Sequence, residues 1–162
     1  MIKISAVGDI LASILAEDNN CIIFLHNTRK ESTAEQILRK GFRFEDQIAY
    51  STDRINPYDT VEINYFLVER KEYGKYTVII EIEKELFTEI NRLSDKSNII
   101  FEDLLTVERP VLSDNDEFIY TLSHHYIKGY LDNHTGKFVE NKEFNPSFKP
   151  DNYLRNYTRL KE

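Results

Sequence analysis

Three short segments carry the residue types from which a reactive or ligand-binding site is built. His26-Asn27-Thr28 closes the apolar run Cys21-Ile22-Ile23-Phe24-Leu25, which has the length and composition of a strand. A histidine at a strand end, followed by small polar residues, presents a ring nitrogen and nearby backbone groups to a ligand; equally, it can simply turn the chain. Tyr50-Ser51 ends the next apolar patch, Ile48-Ala49-Tyr50-Ser51. A tyrosine there is either a core aromatic or the wall of a pocket for a flat ring. Read as a strand, this patch sends Tyr50 and Ser51 to opposite faces, so the two do not enter one site together. The third segment is His124-His125-Tyr126-Ile127-Lys128-Gly129-Tyr130. Its adjacent histidines, on a strand, also face opposite ways, which argues against a metal held by the pair.

Other chemistries find less support. Cys21 stands among apolar residues and reads as an inert core thiol. There is no Gly-x-Ser-x-Gly elbow, no His-Glu-x-x-His and no glycine-rich phosphate loop. Asp114, Asp116 and Glu117 read as a solvated acidic turn.

The elements that must position these segments follow from pattern. Val7, Ile10, Leu11, Ile14 and Leu15 recur at helical spacing over residues 5–16. Ser32 with Glu35 has the spacing of a capping box, and Gly41 stands where a left-handed cap is needed, giving a helix over 32–41. Residues 48–51 read as a short strand. Asp59 and Glu62 cap a helix running through Val68. Tyr76 to Glu83 reads as a strand, and 84–92 and 99–106 as short helices. Residues 110–112, 118–122 and 126–131 read as short strands. Asp132-Asn133-His134-Thr135-Gly136 has turn chemistry, a returning strand covers 137–139, and a small helix starts at Asp151. Helices come early and short antiparallel strands late, so the fold class is α+β.

The chain has 162 residues, room for one domain, with a core over about residues 20–140 and a polar extension over 145–162. Lys and Arg number 21 against 28 Asp and Glu, a net charge of −7, which argues against general nucleic-acid binding. Ten Phe and ten Tyr supply a core and argue against disorder. One cysteine rules out an internal disulfide framework and a Cys-rich zinc site, and points to an intracellular chain. No apolar run approaches the ~20 residues of a membrane span, and the N-terminus lacks a signal-peptide pattern. The expectation is a soluble, cytoplasmic domain.

The order Phe24-Leu25-His26-Asn27-Thr28, a helix leaving through Gly41-Phe42, and Ala49-Tyr50-Ser51-Thr52 resembles the first half of the ADP-ribosyltransferase fold. The likeness is to the diphtheria-toxin-like and poly-ADP-ribose-polymerase-like branch. His125-Tyr126-Ile127 resembles that family's late catalytic strand, and the likeness spans roughly residues 20–140. It implies split antiparallel sheets with flanking helices and NAD as substrate. His26 would contact the nicotinamide ribose, and backbone near Asn27 would hold the carboxamide. Tyr50 would stack on the nicotinamide ring, with Tyr65 closing the other side. Thr28 and Ser51 complete the implied NAD-binding set. The third catalytic position, Glu in the family, is His125 here, with Glu117 as the nearest replacement. The resemblance further implies a bacterial or phage mono-ADP-ribosyltransferase, a toxin or effector modifying a protein or nucleic acid. Two alternatives are an inactive binding module and an RNA-directed relative of the tRNA 2′-phosphotransferases. The last would use the basic stretch Arg29, Lys30, Arg39, Lys40, Arg43 and Arg54. A late edge strand would permit a dimer.

Overall fold

A computed structural model describes residues 3–106, 111–112 and 114–161. In chain order these form α1 (Ile4–Ala16), β1 (Cys21–Thr28), α2 (Glu31–Lys40), β2 (Phe42–Glu45), α3 (Ile48–Ser51), β3 (Asp53–Ile55), α4 (Thr60–Glu69) and β4 (Tyr76–Glu83). There follow α5 (Lys84–Ser97), α6 (Phe101–Leu105), β5 (Val111–Leu112), β6 (Phe118–Leu122), β7 (Ile127–Asp132), β8 (Phe138–Glu140) and α7 (Asp151–Lys161). The α+β reading holds. Pro110, where the sequence starts β5, lies outside the described residues.

The strands form two antiparallel sheets, a larger one ordered β3-β1-β4-β7-β8 and a smaller one ordered β2-β6-β5. β4 lies at the centre of the larger sheet, and its first seven residues are buried, because both faces are covered. Alternation along β1 and β4 divides the interior in two. Phe24, Val78, Ile80 and Ile82 face one cluster, shared with Phe42, Phe44, Tyr120 and Leu122 of the smaller sheet and with α5 and α6. Ile23, Leu25 and Ile79 face the other, built with Val7, Leu11 and Leu15 of α1 and Ile63, Phe66 and Leu67 of α4.

A bulge where β7 passes β4 at Ile79/Ile80 sends Lys128 to the α1 side. There its ammonium donates to the Ile14 carbonyl at 2.8 Å and to the Asp18 carboxylate. Glu81 of β4 lies 3.7 Å from the same nitrogen, and burial pushes its carboxyl up to about 8. Nearby Cys21 is buried, and its thiol is pushed up to about 12 by that burial, as expected of an inert core cysteine.

Several local expectations are corrected. α2 starts at Glu31 after Lys30, with no side-chain cap; Ser32 and Glu35 lie inside it. Glu31 and Glu35 instead accept from the Tyr130 hydroxyl, each at 3.2 Å. Gly41 does end the helix with positive φ, but with extended ψ (95°, 173°), and leads directly into β2, a strand not anticipated. A Cβ at Gly41 would stand 2.2 Å from the Leu122 carbonyl of β6, so only glycine fits this approach. Residues 48–51 are a helical turn, not a strand. The position beside β1 belongs to Asp53–Ile55, which leaves 48–51 to bridge the two sheets. Residues 124–126 bridge them likewise, as a 3₁₀ turn. The chain therefore passes from the smaller to the larger sheet at these two places. α4 is capped as expected, with the Asp59 carboxylate accepting from the Glu62 amide at 3.0 Å.

Candidate functional site

β3 pairs with β1 only from Ile23 to Leu25. Beyond Leu25 that flank of β1 meets α3 and the end of α4 instead, and a cavity of about 290 Å³ opens there. His26, Tyr50, Ser51, Asp53, Arg70 and Tyr73 line it. His26 lies at the rim of the inter-sheet core, its ring 4.8 Å from that of Phe42. Its Nδ1 is 2.7 Å from the Ser51 carbonyl oxygen. A carbonyl only accepts, so Nδ1 donates and Nε2 becomes the acceptor nitrogen of a neutral ring. Burial supports that state by lowering the His26 pKa, opposed by the Ser51 hydrogen bond and the Asp53 charge.

Tyr50 is 71% exposed at the mouth. Because α3 is helical, Tyr50 and Ser51 both line one cavity, where the strand reading had separated them. α3 is held by Ile48, buried in the inter-sheet core, and by the Thr52 hydroxyl, which donates to the Ile48 carbonyl at 2.8 Å.

The opposite wall comes from residues that sequence reasoning missed. Arg70 donates from Nε and a terminal nitrogen to the two Asp53 carboxylate oxygens, at 2.8 and 3.0 Å. It also lies over the Tyr73 ring at 5.6 Å. Asn27 places this wall: its amide donates to the Arg70 carbonyl at 3.0 Å, and its oxygen accepts from Thr77 Oγ1 at 2.7 Å. That side chain is thus spent on tying the end of α4 to the sheet. The available signal was Gly74, which has a φ of 137° and where a Cβ would stand 2.1 Å from the Thr28 carbonyl carbon. A glycine between Tyr73 and Lys75 marks a close backbone approach.

Other expected members lie elsewhere. Thr28 ends β1 opposite Tyr76 and does not line the cavity. Tyr65 lines a neighbouring groove with Glu62, Phe66 and Glu69. Asp53 and Arg70 line both spaces, so their ion pair forms the partition, and Tyr73 stands where Tyr65 was expected. His125 is not at the cavity. It stacks on Phe148, rings 4.1 Å apart and 10° from parallel. Glu117 is exposed beside Glu45, whose hydrogen bond and charge raise its carboxyl pKa. Of the basic stretch, none of the six residues lines the cavity; Arg54 lies over the Phe87 ring.

The 3₁₀ geometry also overturns the opposed-histidine reading. The rings of His124 and His125 are neighbours, with centroids 4.2 Å apart.

Comparison of the chain with protein-family models, with curated proteins and with solved structures finds no match. Among the described residues no helix is long and apolar enough to cross a membrane.

Proposed function

We propose that this chain is an ADP-ribosyltransferase-like protein that takes the nicotinamide-ribose end of NAD into the His26 cavity. The observation that carries the reading is the His26 ring, fixed through Nδ1 by the Ser51 carbonyl, with Nε2 left as an acceptor for a ribose hydroxyl. Tyr50 at the mouth and Tyr73 on the far wall supply faces for a flat base. A volume of about 290 Å³ sits at the low end of the ~300–1,000 Å³ usual for ligand pockets. That suits a base and a sugar, with the rest of the dinucleotide outside. Arg70 is the cation nearest to serve the phosphates.

One observation favours the second reading, a binding module without turnover. Transfer breaks the bond from ribose C1′ to nicotinamide, and the cationic transition state gains from a carboxylate. Asp53, which lines the cavity, has both oxygens on Arg70, and His125 lies elsewhere. The basic stretch, away from the cavity, lends nothing to the RNA-directed alternative.

Calorimetric titration with NAD, paired with a nicotinamide-release assay in the presence of cell lysate, separates these readings. Binding that His26→Ala and Tyr50→Ala each weaken supports the cavity assignment. Release supports the enzyme, and binding without release selects the module. No binding at millimolar NAD overturns both.

A further inference from the structure

We infer that His124, His125 and Glu143 form a binding site for a divalent first-row transition metal, with zinc as its natural probe. One ring nitrogen of each histidine and a Glu143 carboxylate oxygen lie within 4.8 Å of one another. His124 Nε2 and Glu143 Oε2 are already 2.5 Å apart. A tetrahedral zinc ion with bonds of about 2.0–2.1 Å spaces its ligand atoms at roughly 3.3 Å. Small rotations of exposed or half-buried side chains cover the difference.

The donors come from two segments that the fold has already fastened together. His124 and His125 lie on the 3₁₀ turn, and Glu143 lies on the loop after β8. Asn141 joins them: its buried amide donates to the His124 carbonyl at 2.9 Å and to the Ile127 carbonyl at 2.8 Å. Its side-chain oxygen accepts from the Glu143 amide at 3.1 Å. The Asn145 amide donates to the His125 carbonyl at 2.6 Å. Phe148 stacks beneath the His125 ring, and Ser123 Oγ lies 2.7 Å from its Nδ1. A hydroxyl on a ligating imidazole is the kind of outer partner that orients metal ligands. Such a scaffold sets the donors before any ion arrives.

Donor chemistry selects the ion. Two imidazoles and one carboxylate suit zinc and its first-row neighbours. Calcium and magnesium prefer oxygen-only shells. Glu143 is largely exposed, so further positions on the metal are open to water.

The test titrates zinc into chelator-stripped full-length protein by calorimetry, with visible absorption of the cobalt-substituted form as second readout. One equivalent is expected, with cobalt bands of nitrogen–oxygen coordination. Glu143→Gln and His124→Ala should each abolish that binding. Ser123→Ala should weaken it by about 10-fold, as loss of an outer partner does. His134→Ala, at the exposed turn, should leave it unchanged. Absence of stoichiometric binding overturns the assignment. So does binding that persists in Glu143→Gln and His124→Ala, or that disappears in His134→Ala. Glu143 is exposed and its replacement leaves the core intact, so folding does not cloud the result. NAD plays no part in the measurement, so this site and the His26 cavity stand or fall separately.

Discussion

The two passages from the smaller sheet to the larger one solve one geometric problem in different ways. At the first, α3 is pinned by the buried Ile48 and the Thr52 hydroxyl, and Tyr50 projects over a cavity. At the second, the 3₁₀ turn is pinned by Tyr126, fully buried with its hydroxyl donating to the Phe148 carbonyl. Asn141 then sews the turn to the loop after β8. The first passage is lightly held beside open space. The second is tightly held with its polar groups turned on one another.

The largest difference should appear when the pins are removed. Tyr126→Ala should destabilise the chain by about 4 kcal/mol, the scale of a buried aromatic truncation. Ile48→Ala should lie nearer 2 kcal/mol, at the low end for its type. Equilibrium denaturation measures both, and equal losses would put the two passages on the same footing. A smaller contrast is expected in the hydrogen bonds. Asn141→Ala removes three side-chain hydrogen bonds and should cost about 2 kcal/mol, against about 1 kcal/mol for Thr52→Val. The reverse ranking would mean that the second passage is not the better fastened.

The smallest effect is the pH dependence that His26 contributes at the first passage. Burial lowers the His26 pKa below its ordinary 6.5. The unfolded chain therefore takes up a proton near 6.5 while the folded chain resists it. This contribution is present above 6.5 and is lost as pH falls through the lower folded value. Melting temperature followed against pH should decline less below 6.5 in His26→Gln than in the parent chain. Parallel curves would show that His26 is not held neutral.

Much of the frame was legible because its signals are local. The strand Tyr76–Glu83, the Asp59 cap and the α1 periodicity each depend on residues close in sequence. Both inter-sheet passages were read as strand, since Ile48-Ala49-Tyr50-Ser51 has strand composition and His124-His125-Tyr126 runs straight into the strand that follows it. What makes them turns is that neighbouring residues, Asp53–Ile55 and Ile127–Asp132, take the places in the sheet. His26 was legible as a strand-end histidine. Arg70 and Tyr73 were not, because their place at the cavity depends on Asn27, 43 residues from Arg70, and on the close approach of Gly74. Asn27 was placed at the site through its backbone by the resemblance, and it lines the cavity; the partners of its side chain, Arg70 and Thr77, lie far along the chain and left no local signal.

The bond from Lys128 to the Ile14 carbonyl joins residues 114 positions apart, and that separation orders events in time. Of the elements described, α1 leaves a ribosome before the others, and its apolar stripe finds α4 some fifty residues later. Its C-terminal end gains its ammonium donor only after β7 has been made and paired with β4. α1, made before the other described elements, is therefore among the last of them to be locked in place, and a chain halted before residue 128 carries α1 docked by its apolar face alone.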